Sequence, residues 1–463
     1  MNQNRRYKKA VLGHSLLACC LILVLPCLAT AQEQANTPPT NTAPEGFTEL
    51  FNGKNLDGWY AIKTLDPRKM NAFPEEERKS KIEAARKTTG EHWRVEDGEI
   101  VNDGKGPYLT TDREFRDFEL HLEYKTVAKA DSGVYLKSTP QVQIWDTTEE
   151  GGKWGKHLRA ELGSGGLWNN KKGQPEKDPL VKADKPFGEW NKFRIVQIGA
   201  RTSVWLNDKL VVDHAIMRNY WGEMPLIAKG PIQLQTHGGE IRWKNLFVRE
   251  FKTEEANKLL ASKSNEGFES IFNGKDLTGW KGAVKSHEVK NEIIRCLPGT
   301  AGTMYHEKEY SDFVARLEFR LPPGGNNGLA IRYPGGDGTA DTAYLGMCEL
   351  QVLDSTHPKF AKLDARQYHG SAYGMQAAHR GYLREPGQWN FQEVTVKGST
   401  IQVELNGTVI LDCDVAKIDK YLGKPVTGKD RKSGYFGMAG HGDPVEFRNL
   451  SIKSLAMSAE EKK

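Results

Sequence analysis

Hydrophobic and polar positions alternate with a period of two along most of this chain. Leu120, Leu122 and Tyr124 alternate with His121, Glu123 and Lys125, and the pattern recurs over 194–198, 203–206, 240–248, 393–396 and 400–405. Alternation of this kind turns one face of a strand to a core and the other to water. Asn207-Asp208 and Asn406-Gly407 each lie between two alternating runs, the place and composition of a two-residue hairpin turn. Many short strands, Gly-rich turns and few helical stretches predict β-sandwiches of about 190–200 residues. Residues 64–90 break the pattern. Pro74-Glu75-Glu76-Glu77 followed by the basic run over 79–87 reads as a charged surface helix. It is present only in the first half of the chain, and its role is not readable.

The chain is written twice. Gly46-Phe47-Thr48-Glu49-Leu50-Phe51-Asn52-Gly53-Lys54-Asn55-Leu56-Asp57-Gly58-Trp59 returns as Gly267-Phe268-Glu269-Ser270-Ile271-Phe272-Asn273-Gly274-Lys275-Asp276-Leu277-Thr278-Gly279-Trp280. Collinear pairs follow: Asp117-Phe118 with Asp312-Phe313, Gly188-Glu189-Trp190-Asn191 with Gly387-Gln388-Trp389-Asn390, Leu206-Asn207 with Leu405-Asn406, and His237-Gly238 with His441-Gly442. A repeat of this length is a domain, not a solenoid unit. The expectation is therefore all-β, two tandem β-sandwiches, over 46–252 and 267–455. A polar stretch with Leu259 and Leu260, over 253–266, reads as a helical linker, and 456–463 as a loose tail. Trp59, Trp190, Trp280 and Trp389 match between the repeats and read as core.

Arg5, Arg6, Lys8 and Lys9 precede an apolar run that ends at Ala29-Thr30-Ala31, the form of a secretory signal over 1–31. A lipoprotein signal at Leu16-Leu17-Ala18-Cys19 is the weaker reading, because apolar residues continue past Cys19. Residues 32–45 read as a disordered leader. The expected location is the periplasm or the outside of the cell, and no later stretch is apolar enough to span a bilayer. The chain carries a formal charge of +5. Four of those charges lie in the signal, which leaves about +1 and no basic run, so nothing points to nucleic acid. Three cysteines remain after it, Cys296, Cys348 and Cys413. All are in the second repeat, so the shared fold cannot depend on disulfides.

Candidate chemistry gathers on one strand of each repeat. In Glu349-Leu350-Gln351-Val352-Leu353-Asp354, alternation places Glu349 and Gln351 on one face and Leu350 and Val352 on the other. The counterpart is Gln141-Val142-Gln143-Ile144-Trp145-Asp146, in which the acid at Glu349 has become Gln141. An acid and an amide on one face suit sugar hydroxyls; a solvated edge strand is the plainer reading. Tyr373 and Trp168 each follow a Gly-containing loop and can stack on the apolar face of a pyranose. His237 and His441 are the only histidines that match between the repeats, and each is a candidate acid or base or the shaper of a turn. Asp337-Gly338-Thr339-Ala340-Asp341 departs from the full calcium-loop pattern and reads as a plain loop.

The ordered motifs resemble the 3-keto-disaccharide hydrolase domain family: the opening Gly-Phe-x-x-[Leu/Ile]-Phe-Asn-Gly-Lys-x-Leu-x-Gly-Trp, then Gln-x-x-Asp, Gly-x-Trp-Asn, Leu-Asn, His-Gly and Asn-Leu. The resemblance implies a concanavalin-like or LamG-like jelly roll and cleavage of 3-keto-glycosides. A ketone at C3 acidifies the C2 hydrogen, a base removes it, the aglycone leaves C1, and water adds to the 2-hydroxyglycal. The family's chemistry needs an acid or base at C2 and stabilisation of the enolate by polar groups or a divalent cation; which of the two is used here stays open. Placed on this sequence, it implies Glu349, Asp354, His369 and His441 as the polar set of repeat two, with Gln351 and Tyr373 binding substrate. In repeat one it implies Gln141, Gln143, Asp146, Trp168 and His237, with His157 and Glu161 nearby. An upstream glycoside 3-dehydrogenase is the implied supplier of substrate. The rival reading is a non-catalytic carbohydrate-binding protein in one or both repeats, since a fold does not fix a function.

Overall fold

The computed structural model describes residues 42–148, 158–263 and 265–455. The expectations for the signal, most of the leader, His157 and the tail lie outside these residues. Four antiparallel sheets form the framework of the described chain. In repeat one a large sheet runs in the order 209–216, 201–206, 191–198, 118–126, 241–250, 99–102, 93–96, with Thr48–Glu49 paired alongside Ile241–Glu250. A five-stranded sheet runs in the order Trp59–Ile62, Tyr108–Phe115, Gly230–Leu234, Asp131–Leu136, Thr139–Trp145. Repeat two reproduces both, and its five-stranded sheet runs Trp280–Gly282, Ala301–Tyr310, Gly434–His441, Asn326–Tyr333, Cys348–Leu353. Each repeat is thus a jelly-roll-like sandwich.

The period of two is what joins the sheets. Leu120, Leu122, Phe193 and Trp243 of the large sheet meet Val134, Val142, Ile144, Ile232 and Leu234 of the small one. In repeat two, Leu317, Phe319 and Val394 meet Leu329, Leu350, Val352 and Met438. Each such side chain stabilises the fold by about 1.5–3 kcal/mol through burial. The intervening polar residues of the five-stranded sheets are left facing away from the core, and these build the candidate sites. The hairpin turns fall where the sequence places them. Asn207 and Asp208 have φ of +50° and +65°, and Asn406 and Gly407 have +49° and +80°. Two consecutive positive φ values match the right-handed twist of the flanking strands.

Trp59, Trp280 and Trp389 are buried. Trp190 is only partly so, and the ammonium groups of Lys125 and Lys244 lie 4.5 and 4.0 Å from its ring centroid; it is a surface platform on the large sheet rather than core. Cys296, Cys348 and Cys413 are all free thiols, and burial pushes Cys296 and Cys413 up to about 12. The inserted segment forms two helices, α1 (Pro67–Ala72) and α2 (Glu75–Thr88), where the sequence pattern suggested one. A third, α3 (Thr253–Ser262), joins the repeats.

The two sandwiches belong to one compact unit, and their seam is polar as well as apolar. Ala256 and Leu260 of α3 pack with Ile198 and Phe391. Arg201 Nε donates to Glu404 Oε1 at 2.9 Å. The carbonyl of Gly407 accepts from Ala200 and Arg201 at 3.0 and 3.1 Å. Gly199 and Gly407 press turn against turn: a Cβ on either would sit 2.2 Å from a backbone oxygen of the other repeat. Beside them Asp117 holds Gly199 N at 2.9 Å and Arg384 Nη2 at 3.4 Å. Fully buried Lys137 donates to the Gly199 carbonyl at 2.7 Å.

Candidate functional site

On the five-stranded sheet of repeat one, Asp131, Gln141, Gln143, Gln235 and His237 converge. They line a cavity of about 190 Å³ with Tyr108, Tyr135, Trp145, Trp168 and Tyr220. Val142 and Ile144 point to the core, so Gln141 and Gln143 must point the other way. His237 Nδ1 is hydrogen-bonded to Asp131 Oδ2. The other oxygen of Asp131 accepts from Gln143 Nε2 at 2.9 Å, and Gln141 Nε2 donates to Gln143 Oε1. The side-chain oxygens of Gln141 and Gln235 are buried and have no hydrogen-bond partner, an uncommon and costly state for a buried acceptor. Both lie in the cavity wall, where hydroxyl donors of a ligand would satisfy them. Trp168 meets Trp145 edge-on at 5.5 Å, with Lys177 Nζ 3.7 Å from its ring centroid.

Repeat two places the same kinds of group on the same sheet. His441 Nε2 lies 3.2 Å from Glu349 Oε1, and that hydrogen bond holds the imidazole pKa above its ordinary value, against the opposing effect of burial. The Glu349 carboxylate lies over Gly328, where a Cβ would come within 2.0 Å of Oε1. Gln351 Nε2 donates to Asn326 Oδ1 at 2.7 Å. Tyr373 is fixed to the same strand, its amide donating to the Glu349 carbonyl at 2.9 Å, and its hydroxyl accepts from Gln367 at 2.9 Å.

The strand registers show which positions correspond. Asp131 pairs with Trp145 and Gly133 with Gln143; Asn326 pairs with Leu353 and Gly328 with Gln351. Asp131 therefore occupies the place of Asn326, and Gln141 the place of Glu349. Each repeat keeps one carboxylate against its histidine, but on adjacent strands. The loss of an acid at Gln141 is made good by Asp131, which the sequence reading missed. The signal was present: Asp131-Ser132-Gly133-Val134 aligns with Asn326-Asn327-Gly328-Leu329 once the glycine is used as the anchor.

Three residues of the expected set stand apart. His369 is fully buried against Phe319, with ring centroids 5.0 Å apart. Its Nδ1 accepts from Leu353 N at 3.4 Å and its Nε2 meets Gln392 Oε1 at 3.1 Å. Burial lowers its pKa to about 3, so it is a neutral core group. Asp354 accepts from Gly324 N at 2.8 Å and from Thr356 N and Oγ1 at 3.1 and 2.6 Å. Asp146 does the same with Lys129 N at 2.8 Å and Thr148 N and Oγ1 at 2.9 and 2.6 Å. Burial pushes both carboxyls up, but these hydrogen bonds outweigh it and hold them low. They are matched turn caps at the strand ends. Glu161 lies in a short turn outside the cavity lining.

Among the described residues no group of three or more His, Cys, Asp or Glu side chains is placed to hold a metal ion. Asp337 Oδ1 instead accepts from Thr339 N at 2.9 Å. No helix of the described residues is long and apolar enough to cross a membrane.

Fold and sites together define a doubled β-sandwich protein with one histidine–carboxylate pair in each copy, the pair of repeat one lining a cavity. The chain belongs to the family of 3-keto-alpha-glucoside-1,2-lyase-like domains, which matches it twice, over residues 46–249 and 267–453. A curated relative, the 3-keto-disaccharide hydrolase of Bacteroides thetaiotaomicron, is 24% identical over 248 residues, which is 45% of this chain and 86% of the relative. Two solved structures from Parabacteroides distasonis, each described as a candidate glycosyl hydrolase, are similar at 27% and 22% identity. They cover 44% and 41% of this chain and 99% of their own, with TM-scores of 0.38 and 0.37.

Proposed function

We propose that this protein cleaves 3-keto-glycosides by elimination and hydration, with a site in each repeat. The observation that carries the reading is the matched histidine–carboxylate pairs, His237 with Asp131 and His441 with Glu349, in a chain whose two halves both match the family. The neutral imidazole removes the C2 proton of the keto-sugar. The electrons move toward the C3 oxygen as an enolate, and return to expel the aglycone from C1, whose oxygen takes up a proton. Water then adds across the C1–C2 double bond. The carboxylate fixes the ring orientation and stabilises the imidazolium formed in the first step. Gln143, tied to Asp131, and Gln351, tied to Asn326, face the hydroxyls, while Trp168 and Tyr373 offer ring faces to the sugar.

The substrate's C3 ketone requires an oxidation beforehand, so a glycoside 3-dehydrogenase class of reaction must supply it. Export belongs to the same reading, on the basic and apolar residues that open the chain. The test is release of a chromogenic aglycone from a 3-keto-glucoside by the mature protein, with and without chelator. Release that is lost only when both His237→Ala and His441→Ala are present would support two working sites. Binding of the glycan with no release in any condition would overturn the catalytic reading in favour of a carbohydrate-binding protein.

A further inference from the structure

The insertion of repeat one builds a second cavity beside the His237 cleft. Helix α2 lies against the Trp59–Ile62 strand but fully buries none of its fourteen residues. It is nevertheless firmly tied. Arg86 donates to the Trp59 carbonyl at 2.9 Å and to Asp112 at 2.8 Å, and Thr89 Oγ1 accepts from Ala61 N at 2.9 Å. Helix α1 is held to the second repeat through Arg68 and Tyr382, 3.3 Å apart. The space beneath is a cavity of about 360 Å³, walled by Tyr60, Met70 and Ile82, edged by Arg78 and Lys229, and floored by Gln233.

Gln233 is the informative residue. It is 2% exposed. Its Nε2 donates to Thr110 Oγ1 at 2.9 Å, while its Oε1 is buried without a partner. Two residues further along the same extended segment, Gln235 presents an equally unpartnered oxygen to the His237 cleft. Successive same-face residues of a strand are about 7 Å apart, a step that one disaccharide spans. A buried acceptor, cationic donors at the rim and an apolar wall with an aromatic ring suit a sugar ring with hydroxyls on its edge and C–H bonds on its face. We propose that this cavity binds the second sugar ring, the aglycone, of a disaccharide whose keto-sugar occupies the His237 cleft. Repeat two lacks the insertion and therefore lacks this subsite.

The inference rests on the catalytic reading above and is tested so that the two can fail separately. Initial rates would be measured on the full chain carrying Glu349→Gln, so that repeat one alone reports. The substrates are trehalose oxidised at one C3 and methyl 3-keto-α-glucoside. Gln233→Leu removes the acceptor, and Met70→Trp fills the cavity from the helix side. Each is expected to lower kcat/KM for the disaccharide roughly tenfold or more, leaving the methyl glycoside within about twofold. Equal losses on both substrates, or no loss on either, would overturn the subsite while leaving the catalytic reading intact. Absence of turnover in the Glu349→Gln chain with turnover in the parent would overturn the subsite and confine catalysis to repeat two. No turnover by the parent on either substrate would overturn both.

Discussion

Asp131 and Glu349 each set a carboxylate against a histidine, from different strands. Asp131 aligns with Asn326 and Glu349 with Gln141, so the two acids stand on neighbouring strands of the shared sheet while each reaches the matching histidine. The acid can therefore be moved. Asp131→Asn is expected to lower the activity of repeat one by roughly 10²–10⁴-fold, the range for general acid–base catalysis. Adding Gln141→Glu should restore part of it by placing the acid where repeat two carries it. Rates of aglycone release in the Glu349→Gln background check this. No recovery in the double variant would mean that the strand on which the acid stands is itself essential.

Gly328 makes room for the Glu349 carboxylate. In Gly328→Ala the new methyl would meet the Glu349 side chain rather than backbone and force it aside. The fold should survive, while the His441–Glu349 hydrogen bond is lost and the activity of repeat two falls. The imidazole pKa should then drop toward its ordinary value. A histidine NMR titration of parent and variant, assigned through His441→Gln, reads this directly.

The pH dependence of the same pair has a definite sign. His441 has a raised pKa in the folded protein, so the pair stabilises repeat two fully below the unfolded pKa of about 6.5 and loses that contribution as pH rises through the folded value. Melting temperatures of parent and His441→Gln should differ most in mild acid and converge in alkali. A difference that grows with pH would contradict the assignment.

Lys137 works in the opposite direction. Its burial lowers the ammonium pKa to about 7, far below its unfolded value of about 10.4. The folded protein therefore carries a penalty for the charged form that is complete below pH 7 and lifts as pH rises toward 10. Lys137→Met should lose this rise in stability with pH relative to the parent, at the cost of the hydrogen bond to Gly199. Chemical denaturation of both proteins at pH 6 and pH 9 would show it.

Much of the fold is legible in the chain because its signals are local. Alternation at Val142 and Ile144 against Gln141 and Gln143, and the turn residues Asn207-Asp208, act over two to four residues. The caps are legible too: Asp146-Thr147-Thr148 and Asp354-Ser355-Thr356 are Asp-x-Thr turns, in which the acid binds the backbone two residues on. Asp131 was not legible in the same way, because its partners His237 and Gln143 reach it only through strand pairing across the sheet. The burial of His369 was not legible either, because a histidine after a loop gives no sign of which side of the sheet it will enter. The insertion carries a helical pattern, but whether such a helix packs down or stands away depends on the surface beneath it.

The contact between the Gly199 and Gly407 turns also bears on the history of the molecule. Two copies of one gene segment begin as separable cassettes. Here Arg384 of the later copy has come to face Asp117 of the earlier one, and Lys137 caps the same junction from inside. Excising either copy would leave ionic groups stranded in an apolar surface. The duplication thus acts as a ratchet: the halves differ in what they hold, as the two placements of the acid show, but are no longer free to part.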